Sequence, residues 1–156
     1  MDNKGEIANS IYDLLRGTCE ISEVIIKTSF RNLDIIPATI QLAGIDIELI
    51  DKSRSDPSFK KSYQLKEKLE IIKDKYDYII IDCPPSMNLF TINALYASDY
   101  ILIPCETELL ALDGLNLLIQ TLEQTEEELD IKIKNTLVLP TKLDKRKKVS
   151  KEIYEH

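Results

Sequence analysis

The residues with the clearest capacity for chemistry are a carboxylate and its flanks, Tyr78-Ile79-Ile80-Ile81-Asp82-Cys83-Pro84-Pro85-Ser86. A continuous β-branched run suits a strand buried on both faces, as in a parallel sheet. A carboxylate fixed at the end of such a strand can orient a magnesium ion, often through water. The same residue can equally be the polar end of a strand, and the pattern alone leaves both readings open. Pro84 and Pro85 exclude an immediate helix, and Ser86 reads as the N-cap of the next one. Glu106, Glu108 and Thr141 also fall just past apolar runs.

A second chemical feature lies between residues 142 and 151. Lys142, Lys145, Arg146, Lys147, Lys148 and Lys151 face the single acid Asp144, a local charge of +5, while the remainder of the chain carries −12 of the net −7. An acidic protein can still present a basic edge, and phosphate contacts from such an edge are salt-sensitive and independent of base sequence. The alternative is a solvated charge run. Thr141-Lys142-Leu143-Asp144 is also similar to the guanine-reading motif of GTPases, but it has Thr for Asn and no phosphate loop accompanies it.

Positioning these groups requires alternating elements. Ile7, Ile11, Leu14 and Leu15 have helical spacing over 6–16, with Gly17 as a stop. Residues 21–26 form a short segment compatible with a small helix. Asn32 to Ala38 reads as a strand ending at Pro37, residues 39–50 as a helix, and residues 53–58 as a loop around Pro57. Residues 61–74 form an amphipathic helix. Strands are expected at 78–83, 100–104 and 131–139, and helices at 86–97 and 109–129. A last helix begins near Val149. This alternation predicts an α/β sheet with right-handed crossovers, in which chemistry sits at the C-terminal strand ends.

Composition sets the bounds. The 156 residues fit one domain spanning 1–156, and 44% apolar with 30% charged residues is ordinary for a globular chain. No apolar run approaches the roughly 20 residues of a membrane helix. The first residues lack signal-peptide character. Cys19, Cys83 and Cys105 are odd in number and show no CxxC spacing, which points to a reducing, cytoplasmic setting and away from a disulfide framework or zinc site.

Several blocks together closely resemble the ParA/Soj family of partition ATPases, in family order and spacing. They are Leu33-Asp34-Ile35-Ile36-Pro37-Ala38-Thr39-Ile40-Gln41-Leu42-Ala43-Gly44; Asp77 to Ser86 with Thr91-Ile92-Asn93-Ala94-Leu95; Ala97-Ser98-Asp99; Ile103-Pro104; and Glu108 with Ala111-Leu112-Asp113-Gly114-Leu115. The resemblance implies a three-layer, deviant-Walker P-loop fold with a mainly parallel sheet, and ATP with magnesium as cofactors. It further implies ATP-dependent homodimerisation, non-specific DNA binding on the nucleoid and stimulation by a ParB-like partner. Asp82 matches the family's Walker B aspartate. Pro84, Pro85 and Ser86 match the start of its switch II segment. Glu108 and Asp113 match acidic positions near the nucleotide and the dimer interface. Asp113 with Gly114 can also simply open a helix. Arg146 matches a position on the family's DNA-contacting surface, which the neighbouring lysines extend. A sister family that positions machinery on membranes with a C-terminal amphipathic helix is the lesser resemblance, so no membrane partner is expected.

The family's KGGxGKT-type loop has no counterpart in these residues. The only glycines are Gly5, Gly17, Gly44 and Gly114, none of them adjacent. Such a loop cradles phosphates with backbone N–H groups. The resemblance therefore implies a partial fold without the P-loop strand, which lies between the 78–83 and 100–104 strands. The following strand, between 32–37 and 78–83, is also without a counterpart. Central sheet edges would be left unpaired, so the sheet must close its gap, dimerise or be marginal. The expected function is that of part of a partition ATPase, inactive in hydrolysis alone. The alternative is a non-catalytic remnant or interaction module of the same fold.

Overall fold

A computed structural model describes residues 8–84, 86–106, 109–131 and 133–142, with the side chains of 109–113 excepted. It forms two compact units, residues 1–97 and 98–156. The fold is α/β.

The first unit is built from short helices. Helix α1 (Ile11–Arg16) starts at Ser10, whose N–H and Oγ both donate to Asp13 Oδ2 at 2.9 Å. It ends where expected: Gly17 adopts φ 76°, and its N–H donates to the Leu14 carbonyl. That left-handed backbone is open to glycine at no Cβ cost. After α2 (Ile21–Val24), Ile26–Lys27 (β1) pairs antiparallel with Asp34–Ile35 (β2). Asn32, at φ 60°, shapes the turn, a conformation asparagine tolerates. The expected helix at 39–50 is instead a 3-10 turn, Ile40–Gly44, followed by α3 (Ile45–Ser55). Helix α3 runs into the expected loop and stops before Pro57, because the residue preceding a proline disfavours the helical region.

Helix α4 (Gln64–Glu70) and a 3-10 turn at Lys73–Lys75 replace the single helix expected over 61–74. Helix α5 spans Leu89–Ala97. Leu14, Ile21, Val24, Ile45, Leu49, Leu65, Leu69, Ile72, Leu89 and Ala94 share one buried core. Tyr12 donates to Glu48 Oε1 at 2.7 Å, and Arg16 pairs with Glu48 Oε2 at 2.7 Å, tying α1 to α3.

The second unit consists of β3 (Tyr100–Glu106), α6 (Leu109–Leu129) and β4 (Asn135–Thr141). Strands β3 and β4 pair in parallel, from Tyr100↔Asn135 to Glu106↔Thr141. Helix α6 has the expected limits. Strand β4 starts later than the expected 131–139 because Ile131 belongs to the turn that accompanies Asp130 at φ 50°.

The segment Tyr78–Cys83 corrects the sequence expectation. It belongs to no strand, and Tyr78 and Ile80 are 86% and 91% exposed. The reason is tertiary. An extended run becomes a strand only when a neighbour accepts its N–H and C=O groups, and among the described residues none does. The interrupted sheet implied by the resemblance is thus present as two separate two-stranded pieces. Among the described residues no helix is long and apolar enough to cross a membrane.

Candidate functional site

The chain is tied down on either side of Asp82 within the first unit, at Tyr76 and at Ser86–Thr91. Upstream, the Tyr76 hydroxyl donates to Asp34 Oδ2 at 2.7 Å, and Lys27 Nζ reaches the same oxygen at 2.7 Å. This ties the entry of the Tyr78–Cys83 segment to the β1–β2 hairpin. The Lys27 hydrogen bond, then that of Tyr76, hold the Asp34 carboxyl below the usual range, and Asp34 raises both partners in turn. Ile81 packs against the core beneath the segment. Lys27, Asp34 and Tyr76 form a cluster that sequence reasoning missed; its only sequence signal is the short hairpin, which is too brief for periodicity to reveal.

Downstream, Asn88 replaces Ser86 as the N-cap of α5. Asn88 Oδ1 accepts the Thr91 N–H at 3.1 Å, while the Ser86 carbonyl accepts the Thr91 hydroxyl at 2.6 Å. Ser86 N–H returns to the Pro84 carbonyl at 2.8 Å, so the exit is a tight turn that uses Ser86 before the helix begins. Pro85 lies outside the described residues. Asp82, Cys83, Pro84 and Ser86 are all exposed.

In the second unit, Glu106 and Thr141 are register partners at the C-terminal ends of β3 and β4. Lys142 Nζ forms an ion pair with Glu106, and the Thr141 hydroxyl donates to the Cys105 carbonyl at 3.2 Å. At the opposite end Lys134 Nζ meets Asp99 at 2.6 Å, and the Asp99 hydrogen bond raises the lysine's pKa. The strand ends thus gather Glu106, Thr141 and Lys142, as expected for parallel strands. Glu108, Lys145, Arg146, Lys147, Lys148 and Lys151 lie outside the described residues. Asp113 is placed on α6, with its side chain outside the description.

The described residues do not fit ATP and magnesium. Gly17 ends a helix, Gly44 sits in the 3-10 turn and Gly114 is inside α6, so none shapes a phosphate-cradling loop. Among the described residues no three His, Cys, Asp or Glu side chains converge. Asp82 is one exposed carboxylate, and hard cations need several oxygen ligands.

Helices around parallel strands place the chain with the P-loop ATPases in fold. A family model described as an AAA domain matches residues 1–135. The sporulation initiation inhibitor protein Soj of Bacillus subtilis is 42% identical over 152 residues, covering 97% of this chain and 58% of Soj. Cobyrinic acid a,c-diamide synthase of Mycobacterium smegmatis, with bound ADP and magnesium, is 28% identical at a TM-score of 0.79, covering 96% of this chain and 58% of that one. A plasmid partition protein of Borrelia burgdorferi bound to AMPPNP is 29% identical at a TM-score of 0.71, covering 94% and 54%. The chain belongs to the AAA domain family, and within it to the ParA/Soj partition ATPases. It spans about half the length of the curated relatives it matches, 45 to 58%.

Proposed function

We propose that residues 1–156 act as part of one ParA/Soj-type ATPase domain in chromosome or plasmid partitioning, on the cytoplasmic nucleoid. The observation that carries this reading is the 42% identity to Soj across 97% of the chain. In the whole protein Asp82 would orient magnesium, with Pro84, Pro85 and Ser86 coupling the nucleotide to the following helix. Glu108 and Asp113 would lie near the nucleotide and the dimer interface. Lys142, Lys145, Arg146, Lys147, Lys148 and Lys151 would contact DNA phosphates, and a ParB-like partner would stimulate release. Lys142 is already engaged by Glu106, so the DNA contacts would fall mainly on Lys145 to Lys151.

The second reading is a non-catalytic interaction module that uses the same basic edge without nucleotide. It is favoured by the poor fit of the described residues to MgATP.

The test is salt-dependent binding of random-sequence duplex DNA to the chain. Arg146→Ala combined with Lys147→Ala is expected to weaken binding equally across sequences. The slope of log affinity against log salt should fall by about 2, roughly one per lost phosphate contact. A slope unchanged by the double substitution would remove the basic edge from the proposal. Weak salt-dependent DNA binding without nucleotide would fit either reading, and a nucleotide requirement would favour the ATPase.

A smaller effect arises at the entry to the Asp82 segment. Asp34 has a lowered pKa in the fold, so its contribution to stability is full above the ordinary carboxylate pKa and is lost as pH falls through its depressed folded value. Asp34→Asn is expected to flatten the loss of stability as pH falls below the ordinary carboxylate pKa, about 4, as measured by urea midpoints on the acid side of that value. An unchanged acid limb would mean that the Lys27 and Tyr76 contacts do not hold in solution.

A further inference from the structure

Two sets of side-chain hydrogen bonds meet in the first turn of α5. One locks the helix to the turn that leaves the Asp82 segment. Asn88 accepts the Thr91 N–H and donates to Ser86 Oγ, both at 3.1 Å, and the Thr91 hydroxyl returns to the Ser86 carbonyl at 2.6 Å. The other belongs to Asn93, which is fully buried. Its Oδ1 accepts the Leu65 N–H in the first turn of α4 at 3.1 Å. Its Nδ2 donates to the Lys61 carbonyl, just ahead of α4, and to the Leu89 carbonyl at the start of α5, both at 2.9 Å. A side-chain amide has two N–H donors, and both are spent. A flipped amide would set a donor against the Leu65 N–H and an acceptor against two carbonyls. Only one orientation satisfies all three partners, and bulk water does not reach the site to replace a lost one. A shift of Leu89 relative to Leu65 therefore breaks the set together.

We infer that Asn93 joins the first turns of α4 and α5 into one cooperative unit, so that opening of the Ser86–Thr91 turn is felt at Leu65, and loosening of α4 is felt at the turn. The forward direction follows from the shared amide. Without its cap to Ser86 and Asn88, the start of α5 frays, the Leu89 carbonyl moves, and Asn93 can no longer hold Leu65. The reverse direction is required by linkage, since a coupling free energy is the same read from either end. Asn93 is thus a positioning residue for the exit of the Asp82 segment, acting through Leu89. A partner seated on the exposed side of α4, at Lys66 and Glu67, would bias that exit without touching it. Both helices lie within the first unit. The coupling uses no nucleotide and does not depend on the partition reading.

The experiment is native-state hydrogen exchange of the whole chain, read by NMR at three amides. Leu65 reports on α4, Ile92 on α5, and Leu49 on α3, which lies in the same unit but outside this network. Asn88→Ala opens the turn and leaves Asn93 in place. It is expected to accelerate exchange about fivefold at both Ile92 and Leu65, and less at Leu49. Lys66→Gly loosens α4 at an exposed position. It is expected to accelerate Ile92 by about the same factor as Leu65, again roughly fivefold. In an Asn93→Ala background, Asn88→Ala is expected to accelerate Ile92 but no longer Leu65, a non-additivity that a merely stabilising side chain does not produce. Acceleration confined to the substituted helix in either single variant overturns the inference. So does equal acceleration at all three amides, which marks global unfolding. Should Asn93→Ala fail to fold, the two single variants decide the question alone.

Discussion

Asn93→Ala is expected to cost about 3 kcal/mol of folding free energy. Asn93 is fully buried in α5, and its side chain makes three hydrogen bonds. Oδ1 accepts the Leu65 N–H at 3.1 Å; Nδ2 donates to the Lys61 and Leu89 carbonyls, both at 2.9 Å. Leu65 lies in the first turn of α4, where N–H groups lack intrahelical partners. The residue preceding α4, Tyr63, supplies no side-chain cap. Asn93 therefore caps α4 from a neighbouring helix. The rings of Tyr63 and Tyr96, with centroids 4.1 Å apart and tilted by 34°, pack at the same junction. Alanine leaves the buried Leu65 N–H without a partner, at about 1–3 kcal/mol, and takes one from the half-buried Lys61 carbonyl as well.

Small domains hold only about 5–15 kcal/mol in total, so this loss removes a large share. The measurement is urea unfolding, with a lower midpoint at unchanged slope. Asn88→Ala provides the comparison. It removes one half-buried helix cap and should cost about 1 kcal/mol. Equal midpoints for the two variants would show that the Asn93 network carries no more than an ordinary cap.

Legibility in the sequence followed the range of the interactions. Helix α6 was readable end to end because its periodicity and acidic C-terminal half are local. Gly17 was readable because a left-handed cap is a property of one residue. Ser86 misled, since a serine after two prolines satisfies the general rule for a cap, while the choice between Ser86 and Asn88 depends on where the chain turns. The segment 78–83 misled more deeply. Its composition is that of a buried strand, but strand formation belongs to the pair and not to the segment. The Asn93 network was invisible for the same reason: its three partners lie 28, 32 and 4 residues away. At the candidate site, the strand-end positions of Glu106 and Thr141 were foreseen from the alternation of elements. The ion pair of Glu106 with Lys142 was not, since it depends on the parallel register of β3 and β4.

The 156-residue chain alone is expected to bind MgATP no tighter than the millimolar range. A nucleotide triphosphate is held chiefly through its phosphates, by a converging set of backbone N–H groups and a lysine. The sequence holds four separated glycines, and the three described are committed to a helix cap, a 3-10 turn and a helix interior. Asp82 could orient a metal already held by phosphates, but an exposed lone carboxylate does not recruit one by itself. Micromolar affinity would require about 4 kcal/mol beyond the millimolar level, and no described group is arranged to supply it. Isothermal titration calorimetry of the wild-type chain and of Asp82→Ala should therefore give matching, near-flat traces. Micromolar, magnesium-dependent binding that Asp82→Ala abolishes would overturn this. It would mean that the Asp82 segment works with phosphate-binding groups elsewhere in these residues, and the non-catalytic reading would fall with it.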